Sequence, residues 1–125
     1  MGSNLPVAPA DGSPRFIIRA LKDPFSVDLE RVQMVKGWID EAGETHEQVY
    51  DIDVREKGAA EFFCFWQDPD FDSRHSAFYY LRVLEVAKPR WTTIDAERLK
   101  TEKNTVMPET IQDRVYTSPI WYSKK

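Results

Sequence analysis

The chain reads as a succession of short runs rich in aromatic and β-branched residues, each closed by turn-forming polar residues. Residues 16–21 are followed by Lys22-Asp23-Pro24. Residues 29–40 are followed by Glu41-Ala42-Gly43-Glu44, a turn from which residues 46–54 return antiparallel. Gly37 inside that run suggests a bulge or a close approach of backbones. Lys57-Gly58 is read as another turn. Residues 60–67 (AEFFCFWQ) are nearly all apolar, the pattern of a strand buried on both faces. Residues 76–86 have the densest aromatic and β-branched content. The last run, residues 114–122, contains Pro119, which has no N–H for a ladder, so an edge strand or a break is expected there.

Turn signals at intervals of roughly eight to twelve residues predict a sandwich or barrel. The fold expected is therefore all-β, an Ig-like antiparallel β-sandwich of about six or seven strands. Residues 95–103 (DAERLKTEK) depart from this pattern, being good helix formers with Thr101 their one β-branched side chain. They predict one short helix inside a long loop, residues 88–113, with Thr93 or Asp95 as its cap. Residues 1–15, with three Pro and two Gly, read as a flexible linker or arm, leaving residues 16–125 as a single sandwich domain.

Composition narrows the function classes. A length of 125 residues suits one domain, and 42% hydrophobic with 13% aromatic residues is enough to bury a core. A net charge of −4 argues against a nucleic-acid partner, which calls for a basic surplus. No apolar run approaches the roughly 18–20 residues of a membrane span, and the N-terminal stretch lacks the pattern of a signal peptide. Neither observation assigns a compartment. Cys64 is the single cysteine, so an internal disulfide and a Cys-based zinc site are both excluded.

Candidate chemistry is sparse. Asp68, Asp70 and Asp72 stand at positions 1, 3 and 5 of a calcium-type loop. The sixth position holds Ser73 instead of Gly and the twelfth Tyr79 instead of Glu, which favours a solvated connection with an Asx-turn at Asp72. His75 and His46 are the remaining ligand or acid–base candidates, and a zinc centre would need them to converge with a carboxylate. There is no Gly-x-Ser-x-Gly elbow, phosphate loop or Gly-x-Gly-x-x-Gly string, so no catalytic residue and no cofactor is assigned to this chain. Trp91, in the long loop, and Trp121, on the expected edge strand beside Pro119 and Tyr122, are the aromatics expected to meet a partner domain or a ligand. Tyr79 or Tyr80 could tie a strand crossover as a tyrosine corner.

Three longer strings go beyond propensity. They are Val35-Lys36-Gly37-Trp38-Ile39-Asp40 with Glu47-Gln48-Val49-Tyr50-Asp51; Trp66-Gln67-Asp68-Pro69-Asp70-Phe71-Asp72 with Ala77-Phe78-Tyr79-Tyr80; and Tyr116-Thr117-Ser118-Pro119-Ile120-Trp121-Tyr122. In this order they resemble the C-terminal end of the domain-of-unknown-function family number 3604, over residues 14–123. The N-terminal part of that family resembles the PHP (polymerase and histidinol phosphatase) metal-dependent phosphoesterases and carries a His-x-His motif, of which this chain has none. The resemblance thus implies a non-catalytic C-terminal accessory domain of a larger PHP-like hydrolase. Its implied partner is the N-terminal catalytic domain of that parent, and a face exposed in its absence could pair two copies of the chain. The alternative is a small carbohydrate-type binding module.

Overall fold

The computed structural model describes residues 2–5 and 12–124. Ten strands and one helix follow in the order β1 (Ser3–Leu5), β2 (Arg15–Leu21), β3 (Leu29–Ile39), β4 (Thr45–Ala59), β5 (Glu61–Gln67), β6 (Ser76–Glu85), β7 (Lys88–Pro89), α1 (Trp91–Leu99), β8 (Thr110–Ile111), β9 (Arg114–Tyr116) and β10 (Ile120–Tyr122). The fold is all-β and sandwich-like. The count exceeds the expected six or seven because five strands have only two or three residues, too few to show a periodicity.

The large sheet has the order β1-β10-β6-β3-β4, with β9 also pairing β6 beyond β10. β3 is its spine, hydrogen-bonded antiparallel to β4 on one side and β6 on the other. The smaller layer is a two-stranded ribbon, β2 against β5, with Ile18 opposite Cys64 and Ala20 opposite Phe62. Part of the expected arm, Ser3–Leu5, is a strand: it lies parallel to β10, with Asn4 opposite Trp121. The rest of that arm falls partly on residues 6–11, outside the described residues.

The core lies between ribbon and sheet. Ile18 and Phe62 of the ribbon, each 2% exposed, meet Val32, Met34, Ala77, Tyr79 and Val83, with Phe16, Cys64 and Trp66 packed around them. Side chains of a strand alternate between faces, so one sequence run supplies both core and surface. In β5, Phe62 points inward while Phe63 and Phe65 are 62% and 69% exposed. This corrects the expectation of a strand buried on both faces: the ribbon has only one covered side, and an all-apolar run carries no polar residue to mark the other.

Two glycines set the geometry. Gly58 has φ +83°, and a Cβ there would lie 2.5 Å from Cβ of Asp28. It precedes the point where the chain leaves β4 of the large sheet and enters β5 of the ribbon through the single residue Ala60. The expected turn is thus a corner between layers. Gly37 is the close approach that its position suggested: a Cβ there would sit 2.4 Å from Cζ of Phe78, whose ring lies over it. The register shifts in β3 fall elsewhere, at Leu29/Arg31 and Val32/Gln33. Gly37→Ala is expected to push the Phe78 ring aside and cost about 1–3 kcal/mol. Urea titration of the variant checks this, and a change below about 0.5 kcal/mol would contradict the crowding.

The helix begins earlier than expected, at Trp91, and ends at Lys100 in a left-handed conformation with φ 53°. Neither Thr93 nor Asp95 caps it. Arg90 occupies the N-cap without a side-chain bond, and the Thr93 hydroxyl donates to the Glu109 carbonyl at 2.8 Å, tying the helix to its own loop. Among the described residues no helix is long and apolar enough to cross a membrane.

Candidate functional site

The outer face of the large sheet, turned away from the ribbon, is buried at Val35 but open along one stretch near β9 and β10. Register fixes its composition: Gly37 stands opposite Phe78, Val35 opposite Tyr80, Phe78 opposite Trp121, and Arg82 opposite Tyr116. Residues opposite one another in an antiparallel pair share a face, so these side chains stand together. The result is an aromatic row. The Phe78 and Tyr80 rings are stacked at 6.2 Å and 6°, Trp121 packs on Phe78 at 5.3 Å, and Tyr116 on Tyr80 at 6.1 Å. Tyr116 and Trp121 are each about half exposed. Together with Thr117 and Pro119 the row lines a shallow trough of about 340 Å³. Three hydroxyls border the trough, those of Tyr80, Tyr116 and Thr117, and Thr117 Oγ1 accepts from the Leu81 N–H at 3.0 Å.

Of the residues singled out from sequence, Trp121 and Pro119 lie on this face. Tyr122 does not. It is 5% exposed, packs on Phe71, and donates its hydroxyl to the Ser73 carbonyl at 2.9 Å. Adjacent residues of one strand point to opposite faces, so Trp121 and Tyr122 could not both serve. Trp91 opens α1 at 70% exposure and is not part of the row. Phe78, Tyr80 and Tyr116 were missed. The i, i+2 spacing of the first two is the signal that could have found them.

The aspartates of the β5–β6 connection turn in separate directions. Asp68 is buried: Oδ2 accepts from Lys36 Nζ at 2.7 Å and from the Tyr79 hydroxyl at 2.7 Å, while Oδ1 accepts from the Asp70 N–H at 2.9 Å. Asp70 accepts from the Tyr50 hydroxyl at 2.8 Å, and its carbonyl accepts from Lys36 Nζ at 2.7 Å. Asp72 makes the Asx-turn with the Arg74 N–H, and the Arg74 guanidinium beside it holds its carboxyl well below the usual carboxylate range. Each carboxylate is thus committed to donors of the chain, and the calcium-loop arrangement is not formed. His75 is half-buried, its N–H donating to the Asp72 carbonyl. Burial, reinforced by the bond to Asp68, pushes the Tyr79 hydroxyl far above its ordinary value, so it remains a donor. Its bond is to a side chain of the connection, where a tyrosine corner bonds to backbone.

The one group of three metal-ligand side chains among the described residues lies elsewhere, in the β3–β4 turn. Ligand atoms of Asp40, Glu44 and His46 fall within 4.8 Å of one another. Asp40 Oδ2 is 2.9 Å from His46 Nε2, a bond that lowers the Asp40 pKa, and its Oδ1 accepts the Glu44 N–H. The imidazole stacks on Trp38 at 5.1 Å. His75 is not in this group, so the two histidines do not converge.

A model of the family described as Protein of unknown function (DUF3604) matches residues 1–57 and 54–124, two stretches that meet inside β4. No curated protein and no solved structure matches the chain.

Proposed function

Because the chain belongs to the DUF3604 family, we propose that it is a non-catalytic accessory β-sandwich domain of a larger, PHP-like metal-dependent hydrolase. In this reading the outer face of the large sheet packs on the catalytic domain and helps to shape its site. The observation that carries it is the aromatic row on a sheet face, with Phe78 and Tyr80 half-buried at its middle and Tyr116 and Trp121 half exposed at its ends. Contiguous exposed apolar surface of this kind marks an interaction site. Its character fits protein better than sugar. A sugar-binding face needs several polar side chains fanned around its rings; here Thr117 Oγ1 is bonded to the Leu81 N–H and Arg82 Nε to Gln33, which leaves the Tyr80 and Tyr116 hydroxyls as the polar groups of a mostly apolar surface. Aromatic anchors are also where interface energy concentrates.

The test is to read the gene upstream of residue 1 and co-express the segment encoded there with this chain. A PHP-like segment with a His-x-His motif should co-purify with it. Tyr80→Asp and Trp121→Asp, each keeping the circular dichroism of the parent, should weaken the complex by at least about 30-fold. Absence of such a segment, or a complex indifferent to both variants, overturns the reading. Trp fluorescence that shifts on titration with simple sugars would instead favour the binding module.

A further inference from the structure

On the opposite side of the large sheet, the interdomain reading leaves a buried amine–carboxylate contact unused. Lys36 lies on β3, and Asp68 is the first residue after β5, so their contact joins the sheet to the ribbon. The side chains are 4% and 0% exposed, with Nζ 2.7 Å from Oδ2. The surroundings are aromatic: the Trp38 ring centroid is 5.2 Å from Nζ, and Tyr79 is fully buried. We infer that Lys36 and Asp68 condense to an intramolecular amide, a covalent cross-link between the two layers of the sandwich.

Elementary chemistry supplies each step. In a water-poor site the ion pair and the neutral amine–acid pair come closer in energy, because burial penalises charge. A proton crossing the 2.7 Å contact from Nζ to Oδ2 leaves a neutral amine against a carboxylic acid. Fixed contact replaces the encounter that makes amide formation slow between free groups. Nζ attacks Cγ. The negative charge that develops on Oδ1 meets the Asp70 N–H, an oxyanion-type donor, while the Tyr79 hydroxyl donates to Oδ2, the oxygen that leaves. The Nζ–Cγ bond forms, the Cγ–Oδ2 bond breaks, and Oδ2 leaves as water with two of the three ammonium protons. Nothing is oxidised or reduced, and no co-reactant is needed. A void of about 10 Å³ lined by Lys36, Asp70, Tyr79 and His75 is about the size of one water. Asp68 also borders an open cavity with Gly12, Pro69 and Asp72, an exit to solvent. Tyr79 touches the leaving oxygen and is the catalytic residue of this step, and the Asp70 backbone is its second donor.

Intact-mass spectrometry of the purified, denatured chain tests this without a variant. The expected mass is short of the sequence mass by one water, and proteolysis should yield a branched peptide joining Lys36 to Asp68. Tyr79→Phe, which retains the ring, should slow closure roughly 100-fold in a time course after purification. Lys36→Met should abolish the loss. The full sequence mass, persisting in folded wild-type protein over days, overturns the inference. A mass loss mapped to a cyclised aspartate elsewhere overturns it equally. The outcome is independent of the accessory-domain reading, since no partner is present in the experiment.

Discussion

Lys36→Met is expected to destabilise the domain by about 3–5 kcal/mol, because the variant leaves the Asp68 carboxylate buried with no charged partner and no bond to β3. The magnitude follows from position. Asp68 has no side-chain exposure, and with Lys36 gone it retains only the Tyr79 hydroxyl and the Asp70 N–H. Neither donor carries a charge. On a chain of this size the change should lower the melting temperature by roughly 10–20 °C. The double variant Lys36→Met/Asp68→Leu should recover much of that loss, because an apolar pair of similar volume leaves no buried charge stranded. Urea unfolding of wild type, Lys36→Met, Asp68→Leu and the double variant gives the coupling directly. If the single variant costs less than about 1 kcal/mol, water reaches Asp68 and the site is not dry. If the double recovers nothing while wild type carries the amide, the covalent link is the larger contribution.

The second large effect separates two neighbours. Phe62→Ala is expected to cost about 3–5 kcal/mol, whereas Phe63→Ala should change stability by no more than about 0.5 kcal/mol. Phe62 is 2% exposed in the middle of the core, and its removal leaves a cavity against Ile18 and Met34 that the close-packed layers cannot collapse to fill. Phe63 stands outside, 62% exposed, with its edge toward Phe65. Comparable losses in both variants would mean that the outer face of the ribbon is covered too, for example by a second copy of the chain, and sedimentation of the wild type would then show a dimer.

These neighbours also mark the limit of what could be read from the residues. The strands announced themselves, because turn residues such as Gly43 and Asp68-Pro69 punctuate runs whose composition suits a pleated, half-buried surface. Pro119 foretold the break between β9 and β10, since a missing N–H is a property of the residue and needs no context. Resemblance of three strings led to the family that the chain belongs to. The candidate site was only half legible. Trp121 was legible as an exposed aromatic, but its companions Phe78 and Tyr80 were not, because the run that holds them is apolar on both faces.

Sequence alone determined the all-β character, the main turns and the absence of an internal disulfide, and narrowed Gly37 to a bulge or a close approach, all of which follow from local backbone chemistry or from residue type. Tertiary structure alone decided which face of each strand is covered. A period of two says that alternate residues share a face, but not what lies above it. It also decided that Lys36, placed between Met34 and Trp38 on the core-facing side of β3, would meet Asp68, thirty-two positions further along the chain, where water is excluded. The partner of a buried charge is set by how the layers stack, and that stacking depends on the packing of the whole chain.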